Sequence, residues 1–275
     1  MKILIIGSDG FIGSRLSAKL KAENFEISTI SRKECNLLNL MELESISRRF
    51  SDINVIIHCA GVAGSKNLFT SKRIKDQNNR ITENILKVFL KFRSHFIFLS
   101  SISVYDPHWD QEIKVLNPDC KSQYGLGKLF NERSIIKTID SFDIFRLYPV
   151  YDKENLNNIN SRFFLIKDRV KVFLYPYKDY YFCSMDTLYE NIKKRLSVPG
   201  RRLHLIRDKD PVNIQEIKNT KGINLILPIM LRNIFYPLIF LTKLLSKDLN
   251  IKINKFFYPF QPESFYDLEV LENKK

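Results

Sequence analysis

The first 150 residues alternate between short apolar runs and longer stretches of mixed apolar and polar residues. Lys2–Ile6 carries four consecutive apolar side chains and stops at Gly7, as a buried parallel strand does. Phe11–Ala22 then has helical composition, with Phe11, Leu16 and Leu20 available for one inner face. The same alternation predicts strands at Phe25–Ile30, Asn54–Ile57, His95–Leu99 and Phe142–Leu147. It predicts helices at Met41–Phe50, within Ser71–Phe92 and at Tyr124–Thr138. Strands joined by helical crossovers imply an α/β fold built on a doubly wound parallel sheet.

After Val150 the alternation loosens. Asp152–Asn160 is polar and Asn-rich, which places a boundary between a first domain, residues 1–151, and a smaller C-terminal substrate lobe, residues 152–275. Within that lobe the pattern predicts strands at Val170–Tyr175, Tyr181–Ser184 and Leu203–Ile206, and a helix at Thr187–Leu196. The run Ile223–Leu245 is strongly apolar but contains Arg232, Lys243, Pro228 and Pro237, so it makes a poor membrane span. It is expected as helices packed on the lobe or on a subunit partner, with a membrane-surface helix as the alternative.

Composition narrows the classes. With 44% hydrophobic and 27% charged residues the chain can bury a sizeable core. The 4 cysteines, Cys35, Cys59, Cys120 and Cys183, have no CxxC spacing, against a disulfide framework or zinc ribbon. His58, His95, His108 and His204 are scattered, so no metal site is expected. The apolar run at the N-terminus is too short for a signal peptide, and a cytoplasmic location is expected. Lys and Arg exceed Asp and Glu by 44 − 30 = 14, spread over both parts of the chain. Without an Arg-rich block, that excess points to anionic small molecules or anionic lipid rather than to nucleic acid.

The sharpest local signal is Gly7-Ser8-Asp9-Gly10-Phe11-Ile12-Gly13, between the first strand and the first helix. Glycines allow the tight turn and let a pyrophosphate approach backbone N–H groups at the helix N-terminus, so a dinucleotide is the expected ligand and the sheet is of Rossmann type. At the end of the second strand an acid would accept from the 2′-hydroxyl of NAD. Ser31-Arg32-Lys33 stands there instead, with no acid until Glu34. A hydroxyl and two cations suit a 2′-phosphate, so NADP(H) is favoured over NAD(H), against the alternative of a solvated turn.

Tyr124 and Lys128 are four residues apart on a predicted helix and share one face. A phenol with a pKa near ~10 becomes a usable acid or base when a cation stabilises its phenolate, and Lys128 supplies one. About twenty residues earlier, Leu99-Ser100-Ser101-Ile102-Ser103-Val104-Tyr105 stands at the carboxyl end of a predicted strand, where α/β sheets build their sites.

GxxGxxG, then SSxxVY, then YxxxK is the order found in the extended short-chain dehydrogenase/reductase family, which this chain resembles. His58-Cys59-Ala60-Gly61 is similar to the family's HxAG segment beside the cofactor, and Arg146-Leu147-Tyr148-Pro149-Val150-Tyr151 to its RxxxVY strand end. The resemblance covers residues 1–151 and thins afterwards. It implies Tyr124 as general acid/base, Lys128 as its pKa partner and Ser101 as the catalytic hydroxyl. Cys59, Ala60, Gly61, Tyr148 and Val150 are then expected at the cofactor with the glycine loop, Ser31, Arg32, Tyr124 and Lys128, and a homodimer is expected.

The implied activity is NADP(H)-dependent reduction of a keto group on a nucleotide-activated sugar for surface polysaccharide synthesis. A nucleotide-sugar epimerase with the same residues and a non-catalytic NADP-binding member are the alternatives. Ile102 and Ser103 stand where the family's dehydratases carry an Asp-Glu pair, which argues against water elimination. Pro149 and Tyr180 replace polar groups that the family directs at a sugar nucleotide. Arg201, Arg202, Arg207 or Lys178 is expected to take over the diphosphate. Trp109 is expected on a loop over the site.

Overall fold

The computed structural model describes residues 1–62, 71–105, 120, 122–154, 156, 159, 164–166, 169–175, 180–220, 222–228 and 267–268. Trp109, Lys178 and the part of the apolar run beyond Pro228 lie outside the described residues.

Five strands of the main sheet come from the first part of the chain: β1 (Lys2–Ile6), β2 (Glu26–Ile30), β3 (Val55–His58), β4 (His95–Ser101) and β5 (Phe142–Leu147). Helices α1 (Phe11–Ala22), α2 (Leu40–Ser47), α3 (Lys72–Phe89) and α4 (Gln123–Thr138) join or follow them. Period-2 alternation divides the strand side chains between two cores. Ile3 and Ile5 join Leu16 and Leu20 of α1 on one face. Leu4 and Ile6 join Leu43 of α2, Ile85 of α3 and Ile135 of α4 on the other. Both faces are covered, as near-continuous apolar strands require.

The chain leaves the main sheet at β6 and, contrary to a lobe running from residue 152 to the end, comes back to it. β6 (Val150–Tyr151) pairs in parallel with β9 (Cys183–Ser184), away from the main sheet. β10 (Arg201–Ile206) then pairs in parallel with β5 over its whole length, Arg201 beside Phe142 and Ile206 beside Leu147. Helix α5 (Met185–Leu196) packs Leu188 and Ile192 into the α1-side core. Strand β10, expected in the C-terminal lobe, therefore belongs to the main sheet, and α5 to the layer packed on it. The sheet order is β12-β10-β5-β4-β3-β1-β2, with β12 (Asp267–Leu268) antiparallel at the edge.

The second sheet is β11-β8-β7, formed by β7 (Phe164–Ile166), β8 (Val170–Tyr175) and β11 (Ile223–Pro228). Ile223–Pro228 was expected to begin a helical segment and is instead a strand parallel to β8, in register from Ile223–Val170 to Pro228–Tyr175. Pro228 disfavours helical geometry in the residue before it, and the isoleucines suit a strand. Nearby, α6 (Ile214–Lys218) ends on a buried cation. Lys171 Nζ donates to the carbonyls of Ile217 (2.7 Å) and Thr220 (2.8 Å) and to Thr220 Oγ1 (2.8 Å). An ammonium suits carbonyls left without partners at a helix C-terminus.

Candidate active site

The site forms where strand order reverses. From β1 the chain goes to β2 on one side and then crosses to β3 on the other, and ligands of open α/β sheets bind at such a switch point beyond the carboxyl ends. The loops after β1 and β3 touch there. Gly7 has φ +89°, and a Cβ on it would lie 2.7 Å from the Ala60 backbone. A Cβ on Gly13 would lie 2.2 Å from the Gly7 carbonyl oxygen, so only glycine lets α1 start this close to the turn. Gly10 is the N-cap of α1, with no side-chain cap and no acid in the first turn. That leaves backbone donors and a positive helix end for an anion, and Ser8, Asp9, Phe11 and Ile12 complete the rim. These features fit the pyrophosphate of a dinucleotide. Behind the β3 loop, Asn78 of α3 clasps the backbone of Val62, accepting from its N–H at 2.7 Å and donating to its carbonyl at 3.1 Å.

At the end of β2, Arg32 is exposed, with Nε 3.8 Å from the Asp9 carboxylate. Ser31 donates its backbone N–H to Glu34 Oε2 at 2.8 Å. Hydrogen bonds from the Ser31 side chain and backbone hold the Glu34 carboxyl below its usual range. An acid that looked too distant in sequence thus folds back to the strand end.

The β4–α4 seam brings the Ser, Tyr and Lys candidates together. After β4 the chain makes a 3₁₀ turn, Ile102–Val104, and Ser101 Oγ accepts from the Ser103 N–H at 3.1 Å. Helix α4 begins under the Ser122 cap. A Cβ on Gly125 would lie 1.9 Å from the Ser103 carbonyl oxygen, so this glycine lets the Tyr124 turn press against the Ser101 turn. A Cβ on Gly127 would meet Lys75 of α3 at 2.9 Å. Lys128 Nζ donates to the Leu99 carbonyl at 2.7 Å, and lies 4.7 Å from the centroid of the Phe98 ring and 5.9 Å from that of Tyr124. Burial lowers the Lys128 pKa to about 8, against the pull of the Glu132 carboxylate. Burial likewise pushes the Cys59 thiol up to about 12 and keeps His58 neutral, its pKa lowered to about 3.

Beneath Lys128 is Glu132, which motif reading passed over, joined to Ser100 and Arg146 of the motifs already named. Glu132 of α4 is buried, and its carboxylate accepts from Arg146 Nη2 at 2.6 Å, from Arg146 Nε at 3.1 and 3.2 Å, and from the Ser100 hydroxyl. Arg146 Nη1 also donates to the Tyr105 hydroxyl at 2.6 Å. The available signal was spacing: Tyr124, Lys128 and Glu132 recur every four residues on one helix face.

The remaining candidates separate. Val150 is half-buried on β6, whereas Tyr148 is buried and packs in the α1-side core. Arg207 lies just past the carboxyl end of β10, its guanidinium 3.8 Å from the Tyr181 ring centroid. Arg201 and Arg202 lie at the opposite, amino end. Arg201 donates there to the carbonyls of Ile139 (2.7 Å) and Ile136 (2.9 Å), and Arg202 to that of Val198 (2.9 Å). The expectation that either grips a diphosphate is therefore withdrawn, because β10 runs parallel to β5 and carries its first residues away from the site. No described helix is long and apolar enough to cross a membrane.

Solved structures share this architecture. A dTDP-4-dehydrorhamnose reductase from Bacillus anthracis in complex with NADP superposes with a TM-score of 0.68, at 17% identity over 82% of this chain and 83% of that one. UDP-glucose 4-epimerase of Thermus thermophilus, complexed with NAD, gives 0.64 at 15% identity over 83% and 86%. A GDP-6-OMe-4-keto-L-xylo-heptose reductase from C. jejuni gives 0.66 at 15% identity over 82% and 86%. In sequence, GDP-L-colitose synthase of Yersinia pseudotuberculosis is 36% identical over 64 residues, a match spanning 23% of this chain and 20% of that protein. The profile of the NAD dependent epimerase/dehydratase family matches residues 3–164, which takes in the glycine loop, the Ser101 turn, Tyr124 and Lys128. This chain belongs to the NAD-dependent epimerase/dehydratase family.

Proposed function

We propose that this chain is an NADP(H)-dependent oxidoreductase that reduces a keto group of a nucleotide-activated sugar, in the service of surface polysaccharide synthesis. The observation that carries the reading is the docking of Lys128 on the end of β4, beside Tyr124 and across from the glycine loop. A bound nicotinamide dinucleotide would supply the hydride. The Tyr124 phenol gives its proton to the carbonyl oxygen, and the Lys128 cation favours the phenolate left behind. Ser101, whose oxygen already accepts from the Ser103 amide, keeps its own proton to donate to the same carbonyl oxygen. The glycine loop holds the pyrophosphate, and Arg32 can leave its long contact with Asp9 for a 2′-phosphate.

A second cofactor reading rests on Glu34, whose carboxylate at the end of β2 could accept from a 2′-hydroxyl and so suit NAD(H). For the substrate diphosphate Arg207 is the candidate at the correct end of the sheet, and Arg207→Met should raise KM for the nucleotide sugar more than it lowers kcat. A homodimer belongs to the same reading, and contact of the region after Pro228 with a membrane surface is the alternative to its packing on the lobe or a partner subunit. Light scattering and carbonate extraction test them.

The names of the related proteins support a nucleotide-linked sugar and leave two reactions to separate. Incubation with a panel of nucleotide-linked ketosugars should consume one NADPH per product formed. Product without net oxidation of NADPH would favour the epimerase, and no product with any of the panel would favour a binding protein.

A further inference from the structure

The YxxxK motif ends at Lys128, but the buried charges of α4 continue to Glu132, one helical turn on. Lys128 is surrounded by groups from its own helix and from β3, β4 and β5, and Lys75 of α3 packs one residue away at Gly127. Tyr124 and Glu132 lie on its own helix, and His58 and Cys59 at the end of β3. The Phe98 ring and the Leu99 carbonyl come from β4, and Arg146 comes from β5 behind Glu132. Cys59 is held as a neutral thiol and His58 as a neutral imidazole, so neither offers Lys128 an opposite charge. Burial works against the ammonium, and Glu132 is the carboxylate that opposes it.

The carboxylate is fixed in place. Arg146 engages both of its oxygens, and Ser100, next to Arg146 in the strand register, donates to Oε1. Such a pair costs desolvation and stands only when every lone pair is met, so it is a poor choice for stability alone. We propose that Glu132 is a positioning residue of the site, locked by Arg146 and Ser100 so that Lys128 stays cationic beside Tyr124.

This rests on the Tyr124–Lys128 reading, and the test separates the two. Protein labelled with ¹³C at lysine Cε is titrated by NMR, with the Lys128 signal assigned by its loss in Lys128→Met. In Glu132→Gln the Lys128 midpoint should fall by about one pH unit, the lower end of what a nearby opposite charge contributes. The alkaline limb of the activity profile should move to lower pH by the same amount. Breaking one side of a buried pair can unfold a chain, so Glu132→Gln/Arg146→Gln, which removes both charges, is the second variant. Because Glu132 lies one turn from Lys128 on the same helix and Arg146 on a strand behind it, the midpoint should still lie below the wild-type value. An unchanged midpoint in either folded variant overturns the proposal, as does a rate lowered equally at every pH. A Lys128→Met variant that keeps full activity would instead overturn the site reading, whatever the midpoint does.

Discussion

Two carboxylates are buried at strand β5, Glu132 packed against it and Asp143 within it, and they serve its two ends differently. Glu132 lies toward the carboxyl end with a guanidinium, a serine and the site lysine around it. Asp143 lies toward the amino end, between two histidines. His95 Nε2 from β4 is 2.8 Å from Oδ2, and His204 Nε2 from β10 is 2.6 Å from Oδ1. His95 continues to the Ser141 hydroxyl at 2.8 Å. This second cluster stitches three neighbouring strands through one side chain. A cleft of about 500 Å³ opens beside it, lined by His95, Ser141 and Arg93 among others, but the glycine loop and Tyr124 lie at the other end of the strands. The two clusters teach that buried charge in this sheet holds strands together at one end and, on the function proposed here, supports proton transfer at the other.

The sharpest way to break that contrast is to exchange its consequences. Tyr124→Phe keeps the ring and should leave stability and cofactor binding intact while activity falls by about 10²–10⁴, the usual worth of a positioned acid. Asp143→Ala should do the opposite. Thermal and denaturant unfolding should show a loss of about 3 kcal/mol or more, since two buried hydrogen bonds to a charged group disappear, and turnover per folded molecule should be unchanged.

The same cluster has a pH signature. Burial raises the Asp143 pKa, but hydrogen bonds from His204 and His95 outweigh it and leave the carboxyl below its usual range. A folded value below the unfolded one, about 3.9, means stability that is present above that pH and lost as pH falls through the folded value. Acid unfolding followed by circular dichroism should therefore lose part of its steepness in Asp143→Ala.

Smaller effects sharpen the picture at the carboxyl end. Arg32→Ala should cut the preference for NADPH over NADH by about 1.5–3 kcal/mol, measured by calorimetry, and leave NADH affinity nearly unchanged. Equal binding of the two cofactors by the unaltered protein would transfer the assignment to Glu34. Lys128→Met should raise Tm at pH 7, by about 2–4 °C for each kcal/mol relieved. Its folded pKa of about 8 lies below the unfolded value of about 10.4, so the buried ammonium costs stability below pH 8, and that cost lifts as pH rises toward 10.4. Activity should be lost in the same variant.

Most of the first five strands were legible because each run serves a core on either side, and the alternation with helices is local. What escaped depended on partners distant in sequence. Nothing within Leu203–Ile206 says that it pairs with Phe142–Leu147 rather than within the lobe, and Arg201 and Arg202 were misassigned for that reason. Ile223–Pro228 reads as helix or strand equally well from apolarity, and its pairing with β8 decided it. Gly125 and Gly127 were readable in principle. Two glycines inside one helix each cost about 1 kcal/mol relative to Ala, which signals close approach of backbone, here to Ser103 and to Lys75.

The most direct measurement is the fate of a labelled hydride. With NADPH deuterated at the transferable position of C4 and a nucleotide-linked ketosugar that the protein accepts, mass spectrometry and NMR locate the deuterium after turnover. One deuterium on the new carbinol carbon for each NADP⁺ formed, and none detectable in Tyr124→Phe over the same time, is the expected result. Deuterium that stays on the cofactor while the ketosugar goes unreduced, or transfer at the wild-type rate in Tyr124→Phe, would contradict it.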